Sequence, residues 1–167
     1  MCLRYLILNR SALLSSIFSN LQVIGGSLLA IERYLPHRKP VLMLTRVVSE
    51  TETSLEAEAF LDVDFPFQNA AGVVFDAVWC EMAAQAAAVF MGRNRGSGGI
   101  GFLTGIDDFE IVNTVRIPAR VVAGVRVTRQ LGRIFTFAVE ILGPDASCLA
   151  RGGLSFFVEN PGGTSEE

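Results

Sequence analysis

The chain has 167 residues, half of them apolar, and a formal net charge of -3, with a pI near 5.2. That length fits one domain around one core, and the acidic balance, without a basic stripe interleaved with aromatics, excludes nucleic acid as the main partner. A mean hydropathy of +0.42 predicts a large buried surface, part of it set against a second subunit.

The first thirty residues hold Arg4, Arg10 and five serines, and the first acid is Glu32. Residues 1–27 therefore read as a leader or as an extension from a misassigned start. No stretch reaches the roughly 18 to 20 apolar residues that span a bilayer, so no membrane span is expected. Residues 28–158 are expected to form a single domain. The cysteines, Cys2, Cys80 and Cys148, lie far apart and form no CxxC. With His37 the only histidine, a zinc site is not expected. The cysteines read as small apolar residues of a reducing, cytoplasmic setting, and Cys80 as a nucleophile lacks a base nearby in sequence.

In chain order, residues 28–35, within SLLAIERYL, predict a short helix that stops before Pro36. VLMLTRVV (41–48) predicts a strand. SLEAEAFLDV (54–63) alternates apolar and acidic residues, the mark of a strand with one wet face. DFPFQN reads as a turn. AAGVVFDAVWCEMAAQAAAVFMG (70–92) predicts one long helix interrupted only by Asp76, Glu81 and Gln85, with Gly92 as its C-cap. A helix apolar on all sides must be buried on all sides. RNRGSGG (93–99) reads as a surface loop. Strands follow over 100–107, 116–130, 133–142 and 148–159, joined by short turns. The tail from 159 to 167 reads as disordered. One buried helix, preceded by two strands and followed by four, predicts an α+β hotdog fold, a curved antiparallel sheet wrapped around a central helix. In that fold the open side pairs with a second subunit, as a homodimer or a heterodimer.

Three stretches carry a family resemblance. IERYLPHRKPVLMLTRVV, CEMAAQAAA and GFLTGIDDFEI occur in the order found in the 3-hydroxyacyl-(acyl carrier protein) dehydratases. Over about residues 28–158 the chain resembles that family, and it is also similar to the dehydratase-like hotdog proteins of aryl polyene pathways. The resemblance implies acyl-thioester chemistry in fatty-acid or polyketide-type synthesis. The acyl group would be carried on the phosphopantetheine of acyl carrier protein or on CoA, with no metal or redox cofactor. In the family a histidine of an H-F-P motif removes the α-proton, and a helix carboxylate protonates the leaving hydroxyl; two proton-transfer groups are what β-elimination needs. The helix N-terminus holds the thioester carbonyl.

This chain departs at the first of those groups: the H-F-P position reads Asp64-Phe65-Pro66. His37 matches the LPHR histidine, so the resemblance assigns it to a structural corner. The family carboxylate falls five residues after the helix glycine, whereas Glu81 falls nine after Gly72, about one turn or roughly 6 Å deeper. Anchored on Gly72, the match is Asp76; anchored on CEMAAQAAA, it is Glu81, the better-supported choice. The resemblance therefore implies Glu81 and Asp64 as catalytic candidates, and Gly72, Val73, Asp76 and Gln85 as substrate-binding ones. An ordinary carboxyl titrates near 4, so Asp64 as a base would need burial. Arg116, Arg120 and Arg126 would meet an acidic carrier or a phosphate, or line a solvated strand face. Two other readings stay open: a non-catalytic hotdog subunit that stabilises an active dehydratase, and a thioesterase, since DVDFPFQNAAGVVFDAVWCE also resembles the 4-hydroxybenzoyl-CoA-type pattern.

Overall fold

The computed structural model describes residues 31–95 and 100–159; the expected leader, most of the 93–99 loop and nearly all of the tail lie outside them. Strands β1 (Leu44–Glu50) and β2 (Ser54–Leu61) precede helix α1 (Ala77–Arg95). Strands β3 (Ile100–Ile111), β4 (Ala119–Leu131), β5 (Ile134–Leu142) and β6 (Cys148–Glu159) follow it. The six strands form one sheet in the order β1-β2-β4-β5-β6-β3, every neighbouring pair antiparallel. The sheet is open, with β1 and β3 at its edges. It wraps α1, which is the hotdog architecture.

Alternation explains the sheet. In β2, Leu55, Ala57, Ala59 and Leu61 are buried while Glu56 and Glu58 face outward. β4 continues the inner layer with Val121, Ala123 and Val125, and β5 with Phe137, Val139 and Ile141. Alanines on β2, β4 and α1 let the helix lie close to the sheet. The larger side chains fill the ends: Trp79 is fully buried, and Phe90, Phe137 and Phe156 meet edge to face at centroid distances of 5.7 and 5.9 Å. Each such side chain contributes about 1.5–3 kcal/mol by leaving water.

The central helix is shorter at its start than its apolar sequence predicts, and longer at its end. Residues 70–76 make a turn instead. Asn69 Oδ1 accepts the backbone N–H groups of Ala71 and Val73 at 2.9 and 3.1 Å. Gly72 takes φ +75° there, a conformation that costs glycine little. Val73 and Val74 then bridge to Arg116 and Gln68. An apolar run cannot distinguish such a packed turn from the first turns of a buried helix. At the other end Gly92 remains helical. A Cβ there would come within 2.8 Å of Tyr34 Cδ1, so glycine serves close packing and not a cap.

The helix is not covered on every side. Ala77 is exposed, and Cys80, Glu81, Ala84 and Ala88, spaced three and four apart, are only partly buried. On the sheet edge beside this opening, Leu103 and Ile106 of β3 are 41% and 54% exposed. Both pair with inner-layer positions of β6, Phe156 and Leu154, so they face the same side as the helix.

Candidate active site

Glu81 stands on the partly open stripe of α1. Across from it lies the corner made by LPHRKP. Arg38 Nη1 donates to Leu35 O at 3.0 Å and to His37 O at 2.8 Å, so the arginine folds back and closes the corner, while Leu35 and Leu42 sink into the core on either side. That corner carries the chain's single histidine to the helix. His37 Nε2 lies 3.5 Å from Glu81 Oε1, with the two side chains 36% and 41% exposed. The pair is a close polar contact, somewhat longer than a good hydrogen bond, and half open to solvent. His37 Nδ1 is buried and has no hydrogen-bond partner among the described residues.

Gln85 lies one helical turn further on and is 1% exposed, the one buried polar side chain among the described residues. Its Nε2 donates to Glu81 Oε1 at 2.8 Å and to Val41 O at 2.8 Å. Its Oε1 accepts the Met43 N–H at 3.2 Å. The amide is therefore occupied within the protein and tied to a carboxylate, not turned toward solvent.

The remaining sequence candidates sit elsewhere. Asp64 is exposed in the turn after β2, where its N–H donates to Asp62 Oδ1 at 3.2 Å; it forms no hydrogen bond or ion pair with Glu81 among the described contacts. Phe65 beside it is the buried member of that turn and stacks edge-on against Phe67 at 5.4 Å. The Gly72 and Val73 N–H groups both donate to Asn69, at 2.9 Å to its carbonyl and 3.1 Å to its side chain. Asp76 is exposed just before the helix, and its carbonyl accepts the Trp79 N–H at 3.2 Å. Of the arginines, Arg116 donates to Ala71 O at 2.6 Å and Arg120 to Glu58 Oε1 at 2.9 Å.

The structure thus joins Glu81 and Gln85 to His37, a residue the sequence places only at a corner. No spacing rule links positions so far apart; the signal available was one glutamate and one glutamine in an otherwise apolar helix, together with a single histidine in the chain. Burial pushes the neighbouring Cys80 thiol up from its ordinary value, and the Glu81 charge adds to this. A thiol held in its neutral form is a poor nucleophile. Among the described residues no three His, Cys, Asp or Glu side chains gather as a metal site, and no helix is long and apolar enough to cross a membrane.

A histidine and a carboxylate on facing elements, half open to solvent, can move two protons on one substrate. Residues 29–164 match the model of the ApeP-like family, described as ApeP dehydratase. No curated protein matches. Among solved structures, the dehydratase heterocomplex ApeI:P from Xenorhabdus doucetiae is similar at 24% identity and a TM-score of 0.69, covering 80% of this chain and 92% of that one. Thioesterase HI1161 from Haemophilus influenzae is similar at 16% identity and a TM-score of 0.61, covering 72% and 82%. A hypothetical thioesterase with coenzyme A from Streptococcus pneumoniae TIGR4 is similar at 9% identity and a TM-score of 0.60, covering 70% and 86%. At these identities the structural likeness carries the fold.

Proposed function

Since the chain belongs to the ApeP-like dehydratase family, we propose that it dehydrates 3-hydroxyacyl thioesters, with His37 and Glu81 as its acid–base pair. The observation that carries this reading is the 3.5 Å approach of His37 Nε2 to Glu81 Oε1. The imidazole takes the α-proton, the Glu81 carboxyl gives a proton to the β-hydroxyl, and water leaves as the double bond forms in conjugation with the thioester. One proton leaves the substrate and one joins it. After turnover the imidazole is charged and the carboxyl ionised, and a proton passing from His37 to Glu81 restores the starting state. The thioester arm comes from acyl carrier protein or CoA, in a fatty-acid or polyketide-type pathway.

A second hotdog subunit completes the site in this reading. Two features support it: the half-covered stripe of α1 beside the exposed Leu103 and Ile106, and the similarity to a dehydratase that is a heterocomplex. Within such a pair the chain either carries the chemistry or shapes its partner's site.

The test is intact-mass analysis of a 3-hydroxyacyl carrier-protein thioester, incubated with the purified chain alone and with a co-expressed hotdog dehydratase subunit. Loss of one water is expected. Glu81→Gln and His37→Ala should each lower the rate by about 10²–10⁴-fold, the usual contribution of a positioned proton-transfer group. Asp64→Asn should leave it within a few-fold. Release of free acid would instead make the chain a thioesterase. A rate that depends on the presence of this chain but not on His37 or Glu81 would make it a non-catalytic subunit.

A further inference from the structure

We propose that the tip of the β4–β5 hairpin is a membrane-contacting site, which sets an apolar row and three arginines of the sheet's outer face against an anionic lipid surface. This goes beyond the dehydratase reading and does not depend on it.

The row follows from the strand register. Phe135 and Phe156 are buried on the helix side of the sheet, so their chain neighbours Ile134 and Phe157 face the other way. Leu131 lies opposite Ile134, Ile134 opposite Phe157, and Phe157 opposite Phe102. Residues directly opposite share a face. Four apolar side chains from four strands therefore line up across one end of the outer face. Leu131, Ile134 and Phe102 are 61%, 46% and 49% exposed. The tip projects from the body: a Cβ on Gly132, between Leu131 and Arg133, would meet no atom within 4 Å.

The chain is net negative, yet the cations beside this row are free. Arg126 and Arg129 are exposed and lie opposite the outward positions Ala138 and Thr136. Arg133, in the turn, lays its guanidinium over the Phe157 ring at 4.7 Å. None of the three side chains forms an ion pair among the described residues. The outward acids of this end, Asp107 and Glu159, stand away from the hairpin, on β3 and at the end of β6. Glu52 lies on the helix side, in a hollow it lines with Phe90 and Phe135. Apolar side chains flanked by free cations on a projecting tip match a bilayer interface. The apolar groups enter the acyl boundary and the cations meet phosphate. The row is too short for a stable protein pair, which uses about 20–30 residues a side.

The test is cosedimentation of the full-length chain with large unilamellar vesicles of phosphatidylcholine, alone and with one third phosphatidylglycerol. Binding is expected to the anionic vesicles and should weaken as salt is raised, because exposed charges are screened. Leu131→Ser with Ile134→Ser should lower the partition coefficient about ten-fold or more. Arg129→Gln with Arg133→Gln should lower it about 25-fold, at about five-fold for each arginine near such a surface. If circular dichroism shows that the apolar pair of substitutions does not fold, the arginine pair decides alone. Absence of binding to the anionic vesicles overturns the proposal, and so does equal binding to both vesicles. Binding that the folded variants retain in full places the contact elsewhere in the chain and also overturns it. Retained binding with a smaller assembly in light scattering would make the row a protein interface instead.

Discussion

Cys80 sits beside Glu81 on the open stripe of α1, and its thiol is held up first by burial and then by the neighbouring negative charge. It should therefore react with iodoacetamide more slowly than a free thiol. Glu81→Gln removes only the second cause, so it should speed the reaction modestly, as read by peptide mass after timed quenching. A rate unchanged by Glu81→Gln would mean that burial acts alone. On the outer face, burial likewise raises the carboxyl of Glu56 above its ordinary value of 4.5. The folded state then binds this proton more tightly than the unfolded chain. Its stabilising effect is complete below about 4.5 and is lost as pH rises through the elevated folded value. Glu56→Gln should thus raise the melting temperature at neutral pH and lose that advantage near pH 4. The gain should be small, because the side chain keeps contact with water and screening is strong there.

At the scale of elements, the close approach of β3 to β6 rests on one glycine. β3 shifts register between Asp107 and Glu110, with Asp108 at φ 48°, and this bulge drives Phe109 into β6. A Cβ on Gly152 would lie 2.7 Å from Phe109 Cα, a backbone atom that moves only with its strand. Gly152→Ala should destabilise the fold by about 1–3 kcal/mol, the usual cost of overpacking, as measured by urea denaturation. The paired glycines of RGGLSFFVE give no hint of this in sequence, because the clash comes from a bulge in another strand. The strands themselves were legible: alternation places Ser54–Leu61 and Cys148–Glu159 almost to the residue. The start of α1 was not, because Val73, Val74 and Phe75 are as apolar as a buried helix. Glu81 and Gln85 stand out in sequence as polar residues in an apolar helix. His37 does not announce its partner, because proximity between a corner before β1 and a helix after β2 has no period in the chain.

The whole molecule is asymmetric. Its sheet is packed on one side of α1 and open on the other, where Leu103 and Ile106 leave apolar surface uncovered. In the proposed pairing this apolar surface meets the second subunit. Ile106→Lys should reduce assembly, with itself or with a second hotdog subunit, in light scattering coupled to size exclusion. The melting temperature of the isolated chain should stay nearly unchanged, since an exposed position contributes within about 0.5 kcal/mol. A large loss of stability with assembly intact would place Ile106 in the core of the single chain instead.

The anchorage of Gln85 also bears on how this scaffold tolerates insertion. Its bonds reach back 42 and 44 positions, past β1, β2 and the whole turn over 62–76, yet neither His37 nor Glu81 rides on that turn. Lengthening a loop costs only about 0.6 kcal/mol per doubling. That turn is itself pinned in the core by Phe65 and Val74, so what can vary without moving the pair is its exposed part, including residues 62–64 and 69–71. Asp64, which stands where the resemblance would place a histidine, falls in this exposed part.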